Sequence, residues 1–219
     1  MAPTPSTPRT FRGQTAEERV AARRQALIDA ALDLIGTTGW SSATMTAICG
    51  RAGLTERYFY ESFRNRDALL VDLLRGLVSQ IEAAVLAAAA EPGLTRRERS
   101  RRLVDACLHV LLDDPRLGRV ALLEGVEHPE MRQIRREALY RLEALLATHH
   151  AEFLAGEGGQ PAGGGVPPVL MAASLVGATQ ELLTRRLDGE LPITDDQLAD
   201  YLVDLSLVWS SGLPAAPAP

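Results

Sequence analysis

The chain has 219 residues, of which 46% are hydrophobic and 23% charged. This composition is typical of globular proteins, and the length allows a core without disulfides or metals. The first 19 residues lack the apolar core of a secretory signal. The longest apolar-rich run, Val169–Ala178, is about half the roughly 20 residues needed to cross a bilayer. We therefore expect a cytoplasmic protein without a membrane segment, in which Cys49 and Cys107 are reduced thiols.

Charge is unevenly distributed along the chain, whose formal net charge is −5. Residues 1–66 contain nine arginines against six acidic residues, whereas the remainder contains fourteen arginines against twenty-two acidic residues. A basic N-terminal part on an acidic body is expected when only that part meets a polyanion. Because the surplus is small, chance is the alternative explanation.

The periodicity of apolar residues predicts helices throughout the chain, without the alternation typical of strands. Gly and Pro punctuate the pattern, and segment 156–168 is too rich in both to favour regular structure. We predict a disordered arm at 1–14 and a disordered tail at 212–219. About nine helices are expected between them, at 16–38, 44–51, 55–63, 65–90, 97–113, 115–126, 129–155, 168–188 and 194–211.

The second and third predicted helices have the spacing of a helix-turn-helix. Cys49 is a small residue where the two helices would cross, and Gly53 tolerates the positive φ that the turn requires. Leu54 would anchor the turn in the core, with Phe59 and Phe63 on the inner face of the third helix. Thr44 and Thr55 are expected to cap the two helices. Short helical hairpins are common in all-α proteins, so the spacing alone leaves other functions open.

The outer face of the third helix carries groups suited to DNA. Arg57 could bond a guanine edge in two places, and Glu56 could accept from a cytosine amino group or orient Arg57. Thr55 and Tyr60 suit phosphate oxygens, and Arg66 would hold the backbone. Packing tyrosines and a solvated arginine face are the alternative interpretation.

Residues 20–74 resemble the N-terminal domain of the TetR family of bacterial transcriptional regulators. The resemblance rests on the order of Gly39-Trp40, Thr44, Ile48, Ala52-Gly53-Leu54-Thr55, Phe59-Tyr60, Phe63, Arg66 and Leu69. Three positions depart from the family's pattern. Cys49 stands where Ala is usual, Arg66 where Lys is usual, and Glu61-Ser62 where an aromatic-His pair is frequent. The last change removes one phosphate donor, although Ser62 can still donate.

The resemblance implies an all-α fold. A three-helix DNA-binding domain at 15–66 would be joined by a long helix to a helical ligand-binding and dimerisation domain at 67–211. It also implies double-stranded DNA with a palindromic operator as the partner. The DNA-contacting residues it implies are Thr44, Met45, Thr46, Thr55, Glu56, Arg57, Tyr58, Tyr60, Ser62 and Arg66.

The last two predicted helices combine apolar and small residues on one face, which permits close helix approach. Two copies could form a four-helix interface, so a homodimer is expected. Packing within one chain is the alternative. The predicted interface residues are Leu175, Gly177, Ala178, Leu182, Leu202, Leu205 and Trp209.

Polar residues at otherwise apolar helical positions are the candidates for binding a small hydrophobic effector. They are Cys107, His109, Glu124, His128, Tyr140 and Gln180. No spacing typical of a metal site, a phosphate loop or a nucleophile elbow occurs, so neither cofactor nor metal nor enzyme activity is expected. The sequence favours a ligand-responsive dimeric regulator, most simply a repressor. An all-α interaction module that does not bind DNA is the alternative.

Overall fold

The computed structural model describes residues 15–156 and 167–211, with the side chains of 149–156 and 208–211 outside that description. The predicted disordered segments 1–14 and 212–219 lie outside the described residues. Within them the fold is all-α, as predicted, with one short 3-10 helix at Trp40–Ser42. The nine α-helices of the described part are α1 (Ala16–Thr38), α2 (Met45–Ala52), α3 (Glu56–Ser62), α4 (Arg66–Ala89), α5 (Arg96–Leu112), α6 (Pro115–Leu122), α7 (Pro129–Gly156), α8 (Pro168–Leu187) and α9 (Asp195–Ser211).

One predicted boundary is wrong. Helix α6 ends at Leu122 and not at residue 126. The backbone amides of Leu123 and Glu124 both donate to the carbonyl of Arg119, which closes the helix. Gly125 then adopts a left-handed conformation, with φ 63°, which favours glycine and turns the chain toward α7.

The contacts divide the chain into two units, Met1–Leu73 and Leu74–Pro219. In the first unit, α1 packs against α2 and α3. Thr15 and Glu18 form a capping box that starts α1. The buried face of α1 includes Leu27, Ala31 and Ile35, in the spacing expected of an amphipathic helix.

The turn between α2 and α3 is built as its sequence predicts. The Thr44 hydroxyl accepts from the amide of Ala47 and caps α2. Gly53 has φ 66°, and the amide of Leu54 donates to the carbonyl of Cys49 at 2.9 Å, which satisfies a carbonyl at the helix end. Thr55 occupies the N-cap position of α3, but its side chain makes no capping hydrogen bond. The expected hydroxyl cap is therefore wrong.

In the second unit, α5 packs against α6 and α9, and α8 packs against α6, α7 and α9. No helix in the described ranges has the combination of length and apolarity that a membrane span requires. The core that joins these helices contains Leu77, Leu108, Leu111, Ala121, Leu183, Leu198, Ala199 and Leu202.

Candidate nucleic-acid interface and apolar cavity

The start of α3 places the predicted base-reading side chains in solvent. Glu56 and Arg57 are exposed, and 85% of the Arg57 side chain is accessible. A carboxylate oxygen of Glu56 accepts a hydrogen bond from the Thr46 hydroxyl at 3.3 Å, which links the starts of α2 and α3. Thr44 and Thr55 are also exposed, whereas Met45 is half-buried.

Arg57 is restrained by a carboxylate of its own helix. Its Nε lies 3.2 Å from Oε1 of Glu61, one turn along α3. The other oxygen of Glu61 lies 3.8 Å from Nη2 of Arg23 on α1. The Arg23 guanidinium also stacks over the ring of Tyr58, 4.5 Å from its centroid. Tyr58 is half-buried, beside the exposed side chains of Glu56 and Arg57.

The ring of Tyr60 is exposed to solvent and packs against a buried phenylalanine. It is 58% exposed and meets Phe59 edge to face, with the ring centroids 5.8 Å apart. Phe59 itself is fully buried. The hydroxyl of Tyr60 is thus carried on a ring that packing orients, a good arrangement for a phosphate contact.

Two predicted phosphate contacts lie deeper than Tyr60. The Arg66 guanidinium stacks on the indole of Trp40, 3.8 Å from the ring centroid, and Arg66 is half-buried. Ser62 is half-buried too, and its carbonyl accepts from Nη1 of Arg24 at 2.8 Å. Nη2 of Arg24 donates to Asp72 at 2.7 Å. Sequence reasoning missed the supporting arginines on α1, although they fall one beside the other in the sequence before the first buried leucine.

Cys49 is a buried residue of α2. Burial raises its pKa, and the nearby carboxylate of Glu56 adds to the effect. At neutral pH the group is therefore a neutral thiol that acts as a small packing residue.

The second unit contains a cavity of about 560 Å³, which falls within the range of pockets for small organic ligands. Its walls come from α4, α5, α7 and α8, with contributions from α6 and α9. Leucine, valine and alanine dominate them. Typical wall residues are Val78, Leu103, Leu139, Leu142, Leu146 and Val176.

Two of the six predicted ligand-binding residues line this cavity, namely Cys107 and Gln180. Burial in apolar surroundings raises the pKa of the Cys107 thiol to about 11, so it is neutral at physiological pH. The other four lie outside the lining: His109 and Tyr140 are exposed, and Glu124 and His128 are half-buried. Nδ1 of His109 lies 3.2 Å from the carboxylate of Asp113, and Glu124 lies 3.3 Å from Nη2 of Arg119.

Arg135 on α7 lines the cavity and was not singled out in the sequence. Its guanidinium donates to the carbonyls of Ala121 at 2.5 Å and Val120 at 2.8 Å, and also to the carbonyl of Glu124. Burial lowers its pKa to about 10, a shift that the charge of Glu124 partly opposes. The group remains a cation at neutral pH. An arginine held by backbone carbonyls of another helix leaves no spacing signal in the sequence.

The predicted dimer-interface residues occupy different environments. Leu202 is 1% exposed within its own chain, and Leu175 lines the cavity, so both pack inside the protomer. Gly177 is exposed, and Ala178, Leu182 and Leu205 are half-buried. The side chain of Trp209 lies outside the described residues. Large apolar side chains that are exposed on α8 and α9 are Val169, Leu170 and Tyr201.

In the part of the chain that the structure describes, no three His, Cys, Asp or Glu side chains come together in a way that could hold a metal ion. The predicted ligand-binding residues of this kind, Cys107, His109, Glu124 and His128, thus form no such group.

Comparison with known proteins identifies the first unit. Residues 27–73 match the family model described as bacterial regulatory proteins, tetR family. The chain carries the N-terminal domain of the TetR family. This segment contains α2 and α3 entirely, and with them the exposed face described above.

Curated relatives match part of the chain. The HTH-type transcriptional regulator BetI of Klebsiella pneumoniae is 39% identical over 64 residues, which are 29% of this chain and 33% of that protein. BetI of Rhizobium meliloti is 35% identical over 82 residues, 37% of this chain and 40% of that protein. The matches thus span only about a third to two fifths of the relatives' length.

Solved structures share the fold over most of the chain. A TetR-like transcriptional regulator from Rhodococcus sp. RHA1 has a TM-score of 0.67 at 24% identity, covering 84% of this chain and 93% of that one. The transcriptional regulator FadR from Bacillus subtilis in complex with stearoyl-CoA has a TM-score of 0.69 at 21% identity, covering 83% and 96%. The fold beyond the N-terminal domain is therefore also TetR-like.

Proposed function

We propose that this protein is a ligand-responsive transcriptional regulator of the TetR family. In this proposal it binds a palindromic operator as a homodimer, acts as a repressor, and is released by a small hydrophobic molecule. The observation that carries the proposal is the exposed face of α3, with Arg57 and Tyr60 in solvent on a TetR-family domain.

The chemistry of that face supports sequence-specific DNA binding. Arg57 can donate two hydrogen bonds to a guanine edge, while Glu56 can accept from a cytosine amino group. Tyr60 and Thr55 offer hydroxyl groups to phosphate oxygens. Arg66, stacked on Trp40, adds positive charge beside them. Such backbone contacts set the register in which Arg57 reads a base.

The cavity supports a response to an apolar small molecule. Its volume of about 560 Å³ and its leucine-rich wall suit a hydrophobic ligand with few polar groups. FadR from Bacillus subtilis, which shares the fold, is known in complex with stearoyl-CoA, a ligand with a long apolar chain. A ligand changes DNA affinity only if it binds the DNA-bound and free states unequally.

A homodimer would supply the two reading helices that recognition of a palindromic operator requires. One short helix contacts few bases, whereas two copies placed one DNA turn apart read a palindrome. Leu170 and Tyr201, each 56% exposed in the single chain, offer apolar surface that such an interface would cover.

The test measures DNA affinity by fluorescence anisotropy. Operators are first selected from random double-stranded sequences, and binding is then measured across a salt series. Arg57→Ala should weaken binding by roughly 1–3 kcal/mol and relax the preference at one base pair. Arg132→Ala, an exposed arginine on α7, is the matched control and should bind as the wild type does. Failure to select any sequence would overturn the proposal and favour an interaction module that does not bind DNA.

A further inference from the structure

The cavity wall contains two arginines, and their surroundings differ. Arg141 has its charge matched, because its Nε lies 2.5 Å from a carboxylate oxygen of Glu82, another wall residue. Arg135 instead donates hydrogen bonds to the main-chain carbonyls of Val120, Ala121 and Glu124. Carbonyl oxygens orient a guanidinium but carry no formal negative charge.

One donor of Arg135 is left over. Its Nη1 is buried and has no hydrogen-bond partner among the described residues. A buried donor without an acceptor is costly, and the cost is larger when the donor is charged. The wall around the cavity is otherwise dominated by aliphatic side chains, which offer no acceptor for this remaining donor of Arg135.

The guanidinium of Arg135 stays protonated at neutral pH. Burial lowers its pKa to about 10, which is still well above neutrality. The nearby carboxylate of Glu124 lies 3.3 Å from Nη2 of Arg119. The cavity therefore combines a long apolar wall with a cation held in fixed orientation at its surface.

We infer that the cavity binds an amphiphile with an aliphatic body and a carboxylate, whose oxygen accepts from the guanidinium of Arg135. The inference rests on the effector site proposed above and names the chemical class of the ligand. Nη1 is closed to water in the structure, so the carboxylate reaches it with a rotation of the Arg135 side chain or of a neighbouring wall residue. Charge and hydrogen bond together favour the acid over a neutral molecule of equal length.

The experiment measures ligand binding to the full chain without DNA, by isothermal titration calorimetry at pH 8 below micelle formation. The probes are dodecanoate, dodecanol and dodecyltrimethylammonium, which share one chain and differ in head group. Dodecanoate should bind roughly ten- to a hundredfold more tightly than dodecanol, the range expected for a charged hydrogen bond. The cationic probe should bind most weakly.

Arg135→Gln tests the residue directly and should bring dodecanoate and dodecanol to nearly equal affinity. Arg136→Gln, an exposed neighbour on α7, is the matched control and should retain the wild-type ratio. Dodecanol binding by Arg135→Gln reports that the cavity is still folded. If that variant unfolds, Arg135→Lys replaces it. A lysine keeps the charge with fewer donors, so it should retain a reduced preference for the acid.

Equal affinity of the wild type for dodecanoate and dodecanol would overturn the inference. So would absence of saturable dodecanoate binding, or an undiminished preference for the acid in Arg135→Gln or, where it is used, in Arg135→Lys. The proposed function fails separately. Dodecanoate that binds through Arg135 without changing operator affinity would count against an effector role for this ligand. If dodecanoate does not bind but a different apolar compound releases the operator, the proposed function is supported and the inference about a carboxylate ligand is wrong.

Discussion

Glu61 lies between two arginines, Arg57 on its own helix and Arg23 on α1. It contacts Nε of Arg57 at 3.2 Å and Nη2 of Arg23 at 3.8 Å. In the proposed DNA complex Arg57 would leave this carboxylate for a base or phosphate, and the carboxylate would also repel the phosphates. On the proposed function, Glu61 would therefore oppose binding of any DNA sequence and restrain non-specific association.

Replacing this carboxylate should strengthen DNA binding. Glu61→Gln keeps the size of the side chain and removes the negative charge. Because exposed ion pairs contribute roughly 0.2–1 kcal/mol, we expect affinity for operator and random DNA alike to rise by about 1.5- to 5-fold. Anisotropy titrations of both DNAs at two salt concentrations measure this, with Glu127→Gln, an exposed acid of the second unit, as the control. Unchanged or weaker binding by Glu61→Gln would contradict it.

Gly118 is required by a close approach of main chain. A Cβ at this position would collide with the carbonyl oxygen of Leu111 and lie 2.9 Å from Cδ1 of Leu187. The carbonyl belongs to α5 and cannot rotate away. Gly118→Ala should therefore destabilise the protein by roughly 1–3 kcal/mol, the usual cost of overpacking a core.

Urea unfolding followed by circular dichroism measures that loss. Gly76→Ala is the matched control, because a Cβ there meets nothing within 4 Å. Alanine favours the helix over glycine, so the control should be more stable than the wild type by roughly 0.5–1 kcal/mol. Equal stability of the two variants would refute the close-approach argument.

At the scale of elements, α5 is held by a capping box at its N-terminus and by ion pairs to α9 along one face. Thr95 and Glu98 form a capping box at its N-terminus. Along its side, Arg97 pairs with Asp204 at 2.7 Å and Arg101 pairs with Asp200 at 2.7 Å. These pairs join α5 to α9, and they are exposed enough that each contributes little by itself.

The cap predicts a pH-dependent effect. Hydrogen bonds from the Thr95 hydroxyl and amide lower the pKa of Glu98 below its ordinary value of 4.5. A carboxyl with a lowered folded pKa stabilises the protein above its unfolded pKa, and this stability is lost as pH falls through the folded pKa. Thr95→Ala should cost about 1 kcal/mol at pH 7, and the difference from wild type should shrink below about pH 4.5.

Thermal melts at pH 7 and pH 3.5 measure this difference. Thr148→Ala is a suitable control, because that hydroxyl donates to the carbonyl of Ala144 inside α7 and involves no carboxylate. Its effect should not depend on pH in this range. A penalty for Thr95→Ala that is the same at both pH values would show that Glu98 does not take part in the cap.

At the scale of the whole molecule, the proposed dimer should depend on exposed apolar side chains and not on buried ones. Leu170→Asp and Tyr201→Asp each place a charge on surface that a partner would cover, and we expect either to weaken dimerisation by at least tenfold. Sedimentation velocity over a concentration series measures the equilibrium. Val126→Asp, a comparably exposed residue in the segment after α6, should leave it unchanged. A dimer that withstands both charges would place the interface elsewhere.

The sequence predicts best where structure is local. The Thr44 cap, the left-handed Gly53 and the buried Phe59 follow from spacing alone, because each acts within a few residues. Distant contacts are invisible to that reasoning. Nothing in the sequence links Arg135 to the carbonyls of α6, or places Arg66 on Trp40. The sequence also does not show which polar residues of the second unit face the cavity. The same reasoning that selected Gln180, a wall residue, therefore also selected His109 and Tyr140, which lie outside the wall.

The two cysteines of the chain fall one in each unit. Because Cys107 lines the cavity, the rate at which its thiol is alkylated can report whether the cavity is occupied. With a pKa of about 11, about one Cys107 thiol in ten thousand is ionised at pH 7, so alkylation by a maleimide is slow. At a fixed pH the rate then depends on how accessible the thiol is, and a bound molecule that covers Cys107 lengthens the half-time. Mass spectrometry of the Cys107 peptide would count occupancy without any knowledge of the operator, because Cys49 sits in a separate unit and serves as the internal reference.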